Sequence, residues 1–288
     1  MKKIISALLA ITLLAGMGSA MAIERGASRA VIGADLSTEQ ILAVYRTFGI
    51  ERGDVPELFV TNAEERRYLE GLVAPAIIGT RSISCVFIEV LGPGEGLDVS
   101  VSNIDWVTRE MYINALVTVG ITDARVIITS PIPGISGTAA LTGIFKAYED
   151  ITGRPIDEAA KIAGTTELVI TAELADQIGE IDAVTIVNEL KFILDQTVNM
   201  TDDELRLEIR QLANEHNVSL TDTQINALVR LVRSFENLGP EELRQRVEGL
   251  QNTLQTLVRA QSVASTVVEG VRQFFETVGR FLSDIFSR

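Results

Sequence analysis

Strand-like runs stop at residue 153, and this break constrains the fold more than any other feature of the chain. Before "GRP" (153–155) β-like and helical segments alternate; from Ile156 onward nearly every segment has helical periodicity. Upstream, "RAVIGA" (29–34) and "ELFVT" (57–61) read as strands. They are followed by Ser37-x-x-Gln40 and Thr61-x-x-Glu64, capping-box signatures for the helices "TEQILAVYRTFG" and "AEERRYLEGL". "SISCVFIEVL" and "LDVSVSNI" flank "GPGEG" (92–96), a connection suited to a β-hairpin. "WVTREMYINALVTVG" reads as a helix stopped by Gly120, and "ARVIITS" (124–130) as a buried strand. The expected fold is therefore a mixed α/β (α+β) domain over 23–153, a mixed sheet covered by helices.

An all-α C-terminal region follows, with a helical domain over 154–238. Its expected helices are 156–163, 166–178, 181–197, "TDDELRLEIRQLANEH" and "TDTQINALVRLVRSF"; in the last, Ile225, Leu228, Val229, Val232 and Phe235 form one apolar stripe. "LSTEQI" (36–41) and "LTDTQI" (220–225) share capping grammar rather than a repeat. From 239 to 288 the pattern becomes heptad-like. Leu243, Val247, Leu250, Leu254 and Leu257 are spaced 4-3-4-3, and the register continues to Ile285. A coiled-coil-like helix of roughly 65–70 Å, at about 1.5 Å per residue, is expected, with a weak layer at Gln261 and Ala264 where it bends or folds back. Three arrangements are open. The segment packs on its own chain, self-associates into a homo-oligomer through residues 243–285, or lies on a membrane surface through 262–288, where Phe274, Phe275, Phe281 and Phe286 widen the apolar face.

The first 22 residues read as a signal peptide. Lys2 and Lys3 precede the apolar run Ile4 to Leu14, and Ala20-Met21-Ala22 forms an A-x-A site, so cleavage is expected near Ala22. The implied location is secreted or extracytoplasmic, at the cell envelope. Loss of those two lysines and no acid takes the formal net charge from −14 to −16. With only Lys146, Lys161 and Lys191 left and no basic cluster, such a surface repels polyanions, and no nucleic-acid partner is expected. Cys85 is the single cysteine, so no intrachain disulfide forms, and its apolar run marks it as a small buried hydrophobe.

Chemistry concentrates in "TSPIPGISGTAALTGIFKAYE" (129–149), a Gly/Ser loop that follows a strand and feeds a helix. It is neither a phosphate-binding P-loop, since no Lys follows Gly137, nor a G-x-S-x-G nucleophile elbow. Gly134 and Gly137 permit positive φ, and Ser136 or Thr138 is expected to cap the helix. The same helix N-terminus offers N–H groups and a dipole to a small anion, which makes Gly134, Ser136, Gly137 and Thr138 the candidate ligand-binding residues. The lone His216 ends a helix, where a cation suits the dipole, and sits far in sequence from Cys85 and Ser136. No zinc site, Cys/His pair or Ser-His-Asp triad is expected. "TDDE" (201–204) lacks the glycine and terminal Glu of a calcium loop and reads as an N-cap with first-turn charge. No metal and no cofactor are expected. Asp35, Glu89, Asp105 and Glu110 lie at element ends, and their spacing selects no catalytic pair.

Several segments taken together, "IGADLSTEQ", "VTNAEERRYLEGLV", "IGTRSISCVFIEVL", "NIDWVTREMYINALVTVGITDARVIITSP" and "SGTAALTGIFKAYE", resemble the secreted YpuA-like family, a bacterial and archaeal group of unknown function. The resemblance covers roughly residues 30–180. It implies an extracytoplasmic protein with an N-terminal mixed α/β part and a helical tail, and it carries over no activity, ligand or catalytic residue. The function expected from these readings is a non-enzymatic envelope-side module that binds a protein or small anionic ligand near 131–138. Two alternatives stand beside it: an extracytoplasmic hydrolase using Ser136 or a carboxylate pair, and a membrane-surface adaptor working through the C-terminal helix.

Overall fold

A computed structural model describes residues 25–249. The expected leader (1–22), the heptad seam from Leu250 to Ile285 and the membrane-contact segment 262–288 lie outside the described residues.

Two parallel strand–helix–strand units share one sheet. In the first, β1 (Ser28–Gly33), α1 (Thr38–Phe48) and β2 (Glu57–Val60) place β2 parallel to β1. After α2 (Asn62–Leu69) and the short α3 (Pro75–Ile78), β3 (Cys85–Val90) runs antiparallel to β1. The second unit, β4 (Leu97–Ser102), α4 (Arg109–Val119) and β5 (Ala124–Thr129), places β4 parallel to β5. The five strands take the order β2-β1-β3-β5-β4. The local signals for this half hold: Ser37 and Thr61 close capping boxes with Gln40 and Glu64, and Gly120 ends α4 in the left-handed conformation.

The expected hairpin around 92–96 does not form. β5 inserts between β3 and β4, antiparallel to one and parallel to the other. Burial decides this arrangement. Val126 and Ile128 of β5 face the main core and Ile127 packs on the opposite layer, so β5 is apolar enough on both faces for an interior position. In β4, Leu97 and Val99 are buried whereas Asp98, Ser100 and Ser102 are exposed, the alternation of a strand with one wet face. Both outer strands carry cationic groups on backbone carbonyls. Arg109 Nε donates to Val99 O (2.7 Å), and Lys146 Nζ donates to Phe59 O (2.7 Å) while pairing with Glu64 (2.6 Å). Charge at a sheet edge discourages pairing with another strand.

The helices over the rest of the described chain are α5 (Thr138–Thr152), α6 (Glu158–Ile178), α7 (Glu180–Phe192), α8 (Leu194–Thr197), α9 (Asp202–Glu215), α10 (Asp222–Glu236) and α11 over 240–249. The two helices expected at 156–163 and 166–178 are one, α6. Gly164 does not break it, because the missing side chain serves close packing: a Cβ there would lie 2.6 Å from Val119 Cγ1 and 3.1 Å from Ala115 O of α4. The helix expected over 181–197 is instead α7 followed by the single turn α8.

A continuous apolar core runs from Val31, Val86 and Val126 on one sheet face through α4, α5, α6 and α7 to Leu228, Val232 and Phe235 of α10. Leu243 and Val247, the first two heptad positions, are buried in this same core, and Arg246 donates to Thr118 O (3.2 Å) at the carbonyl end of α4, where a cation suits the dipole. The opposite sheet face packs Ala30, Ile32, Cys85 and Phe87 beneath Ile41, Val44, Tyr45 and Phe48 of α1. Among the described residues no helix is long and apolar enough to cross a membrane.

Candidate functional site

The 130–138 loop connects β5 to α5 and is pinned by backbone hydrogen bonds to the segment after β4. Asp105 N donates to Ile135 O (2.9 Å) and Val107 N to Ser136 O (3.2 Å). Gly134 (φ 81°) and Gly137 (φ 91°) take the left-handed conformations that their identity permits. At Gly137 the requirement is double, since a Cβ would also lie 2.5 Å from both Ile104 Cγ2 and the Tyr112 hydroxyl oxygen. That buried hydroxyl donates to Gly137 O (2.6 Å).

The expected hydroxyl cap on α5 is absent: Gly137 is the N-cap and no side chain caps the helix. Ser136 and Thr138 are directed elsewhere because a buried carboxylate competes for them. Thr138 Oγ1 donates to Glu65 Oε1 (2.7 Å), Ser136 Oγ donates to Ile77 O (3.1 Å), and the two hydroxyl oxygens lie 3.2 Å apart. Asn62 Nδ2 donates to the other Glu65 oxygen at 3.3 Å. Glu65 is almost wholly buried, and burial pushes its carboxyl up to about 7 against the opposing hydrogen bonds from Thr138 and Asn62 and the charge of Arg66. The first residue of α5 thus meets a carboxyl group from α2, a placement that complements the helix dipole when that group is ionised. Each hydroxyl has a single proton, so with Ser136 donating to Ile77 O and Thr138 to Glu65 the 3.2 Å contact between them carries no hydrogen bond; Ser136 would have to leave Ile77 O to donate to Thr138.

The surface beside these hydroxyls carries exposed apolar side chains, with the carboxylate of Asp105 next to Gly134. Ile132 and Pro133 are exposed on the loop, and Leu72, Ala74, Pro75 and Ala76 are exposed on the segment that the Ser136–Ile77 bond holds against it. Trp106 Nε1 donates to Asp176 (3.0 Å), tying the neighbouring segment to α6.

The remaining candidate groups are dispersed. Asp35 accepts from Ser82 N (2.7 Å), Glu89 pairs with Arg125 (3.0 Å), Glu110 pairs with Arg109 (3.2 Å), and Asp105 is exposed. Cys85 is buried, and burial pushes its thiol up to about 12. "TDDE" forms a capping box between Thr201 and Glu204. His216 does end α9, but its role is a contact rather than a dipole match: Nε2 lies 2.8 Å from Glu189 Oε2, and this hydrogen bond raises the imidazole above its ordinary value. No group of three or more potential metal ligands occurs among the described residues.

The residues that sequence reasoning missed are buried charges: Glu65, Glu167, Glu189 and Lys191. Lys191 Nζ lies 2.5 Å from Glu167 Oε1 and 5.3 Å from the Phe235 ring centroid, while Thr118 Oγ1 donates to Glu167 Oε2 (2.5 Å). Glu65 is hidden within "AEERRYL", where neighbouring charges make it look solvated. Glu167 carries a fainter signal, since it falls on the face of "TTELVITAEL" that the apolar period assigns to the interior.

Comparisons with known proteins agree on a kinship without an assigned activity. The family of proteins of unknown function DUF1002 matches residues 32–254. The uncharacterized protein YpuA of Bacillus subtilis (strain 168) is 33 % identical over 262 residues, covering 88 % of this chain and 88 % of that protein. No solved structure matches.

Proposed function

Because the chain belongs to the DUF1002 family, whose function is unknown, we propose from its own residues that it is an exported, non-enzymatic binding module of the cell envelope. The contact region is the loop over 131–138. One observation carries this reading: the hydroxyls beside the loop are bonded inward, to Ile77 O and Glu65, while Ile132, Pro133 and Leu72 face solvent. Exposed apolar side chains over an internally satisfied polar layer suit a polypeptide partner better than a reaction. Export rests on the charged, apolar and A-x-A segments of residues 1–22.

Glu65 also qualifies the anion reading of Gly134, Ser136, Gly137 and Thr138. Above about pH 7 its carboxylate, one hydrogen bond from Thr138, repels a second anion; below that pH the helix N-terminus is free of this competitor. An amide NMR titration with inorganic phosphate at pH 5.5 and pH 8 therefore shifts Ser136 to Ala139 at the lower pH only, and no shift at either pH removes the anion reading. Shifts of equal size at both values contradict the assignment of Glu65.

The binding reading itself is tested by a photo-crosslinking residue at Ile132 in the exported protein, with Ile181 of α7, also exposed, as the control position. Expected is a discrete adduct at 132 and none at 181; the same adducts at both positions, or none, overturn the reading.

The 3.2 Å approach of Ser136 Oγ to Thr138 Oγ1, beside Glu65, favours one second reading, an extracytoplasmic hydrolase in which Ser136 turns from Ile77 O to donate to Thr138 and acts as nucleophile. A serine-directed phosphonate probe that labels the wild type and not Ser136→Ala selects it.

A further inference from the structure

Three helices bring polar side chains into the core in two layers, one helical turn apart. α4 contributes Thr118 and Asn114, α6 contributes Glu167 and Thr171, and α7 contributes Lys191 and Asn188; each helix packs on the other two. The first layer, Thr118–Glu167–Lys191, is charged: Glu167 Oε2 accepts from Thr118 (2.5 Å), and Oε1, which accepts no hydrogen bond, is held by its ion pair with Lys191 (2.5 Å). The second layer, Asn114–Thr171–Asn188, is neutral and incompletely bonded. Asn188 Nδ2 donates to Asn114 Oδ1 (3.3 Å), which leaves Asn114 Nδ2, Asn188 Oδ1 and Thr171 Oγ1 without partners although all three residues are buried.

Rotating both amides by 180° does not remove this deficit. The hydrogen bond then runs from Asn114 to Asn188, and each amide again keeps one unused polar atom. A buried polar atom without a partner forfeits its hydration, at a cost comparable to that of a lost hydrogen bond. The stoichiometry of the three atoms matches a single molecule that accepts one hydrogen bond, donates one and exchanges a third with a hydroxyl. Water meets that description, and buried waters ordinarily make about three such bonds. A cation is disfavoured by Lys191, whose Nζ donates to Asn114 O (3.3 Å) at the edge of the same layer, and an anion by Glu167.

We infer that the Asn114–Thr171–Asn188 layer is an internal binding site for one ordered water molecule, which joins α4, α6 and α7. Lys191 and Glu167 close the layer on one side. The site is independent of the surface loop over 131–138, and its test does not depend on any ligand of that loop.

A crystal structure of the full chain, at a resolution that shows ordered solvent, provides the first measurement. Expected is one density peak at roughly 2.6–3.2 Å from all three orphaned atoms. An empty layer overturns the inference, as does a peak at the shorter distances of a bound metal ion. The second measurement is oxygen-17 magnetic relaxation dispersion, which counts long-lived internal waters. The count drops by one in Thr171→Val/Asn188→Leu and is unchanged in Thr171→Ser, which keeps the hydroxyl. An unchanged count in the double variant overturns the inference; if that variant does not fold, the wild-type density and Thr171→Ser decide.

Discussion

Lys191→Met strands a carboxylate in the core, and the consequences can be worked out from the surroundings of Glu167. At 2.5 Å and an effective dielectric of about 20, the pair attracts with a gross energy of about 7 kcal/mol, much of it offset by the desolvation of both ions. Removing the ammonium deletes the attraction and leaves the desolvation, so a loss of about 3–5 kcal/mol is expected. Lys191→Met/Glu167→Gln removes the charge while keeping an acceptor for the Thr118 hydroxyl, so it should recover most of the loss. Urea denaturation followed by far-UV circular dichroism, with slopes compared between variants, measures all three chains. A loss below about 1 kcal/mol for the single variant, or no recovery in the double variant, refutes the claim that an ion pair in the dry core is being broken.

Three other perturbations test the site and its frame. Glu65 is raised, so the folded chain holds its proton more tightly than the unfolded one, and stability attributable to this group falls as pH rises from 4.5 towards about 7; Glu65→Gln should abolish that fall in thermal melts across the interval. His216 is also raised, by its hydrogen bond to Glu189 against burial, so its contribution is fully present below 6.5 and lost as pH rises through the higher folded value; His216→Gln should flatten the alkaline side of the melting curve, and an unchanged slope would contradict the pairing. Gly137→Ala combines a left-handed backbone with contacts of 2.5 Å to Ile104 and Tyr112, and a loss of roughly 3 kcal/mol is expected in denaturant titration, from about 1–2 for the backbone and about 1–3 for overpacking.

The capping boxes at Ser37, Thr61, Thr201 and Thr221 and the stop at Gly120 were legible because each depends on contacts within one turn of the chain. The apolar stripe from Ile225 to Phe235 was legible for a similar reason, since helical periodicity alone orients it. Strand neighbours were not. "GPGEG" satisfies the local chemistry of a hairpin, yet β5, encoded twenty-eight residues beyond its end, takes the place between the strands because it has apolar surface for both faces. Gly164 misled in the same way: locally it reads as a break, and only the approach of Val119 and Ala115 gives it a packing role.

At the 131–138 loop the sequence marked Gly134 and Gly137 as residues able to take positive φ without strain, and both do. It did not determine what Ser136 and Thr138 bond to. That choice belongs to Glu65, seventy-three residues before Thr138, which the packing of α2 against α5 carries out of water and into reach. Backbone preferences are written in neighbouring residues, so the sequence alone settles them. Burial of a charge depends on what the rest of the molecule places around it, and so the hidden carboxylates, the buried lysine and the polar layers between helices became visible only in the tertiary structure.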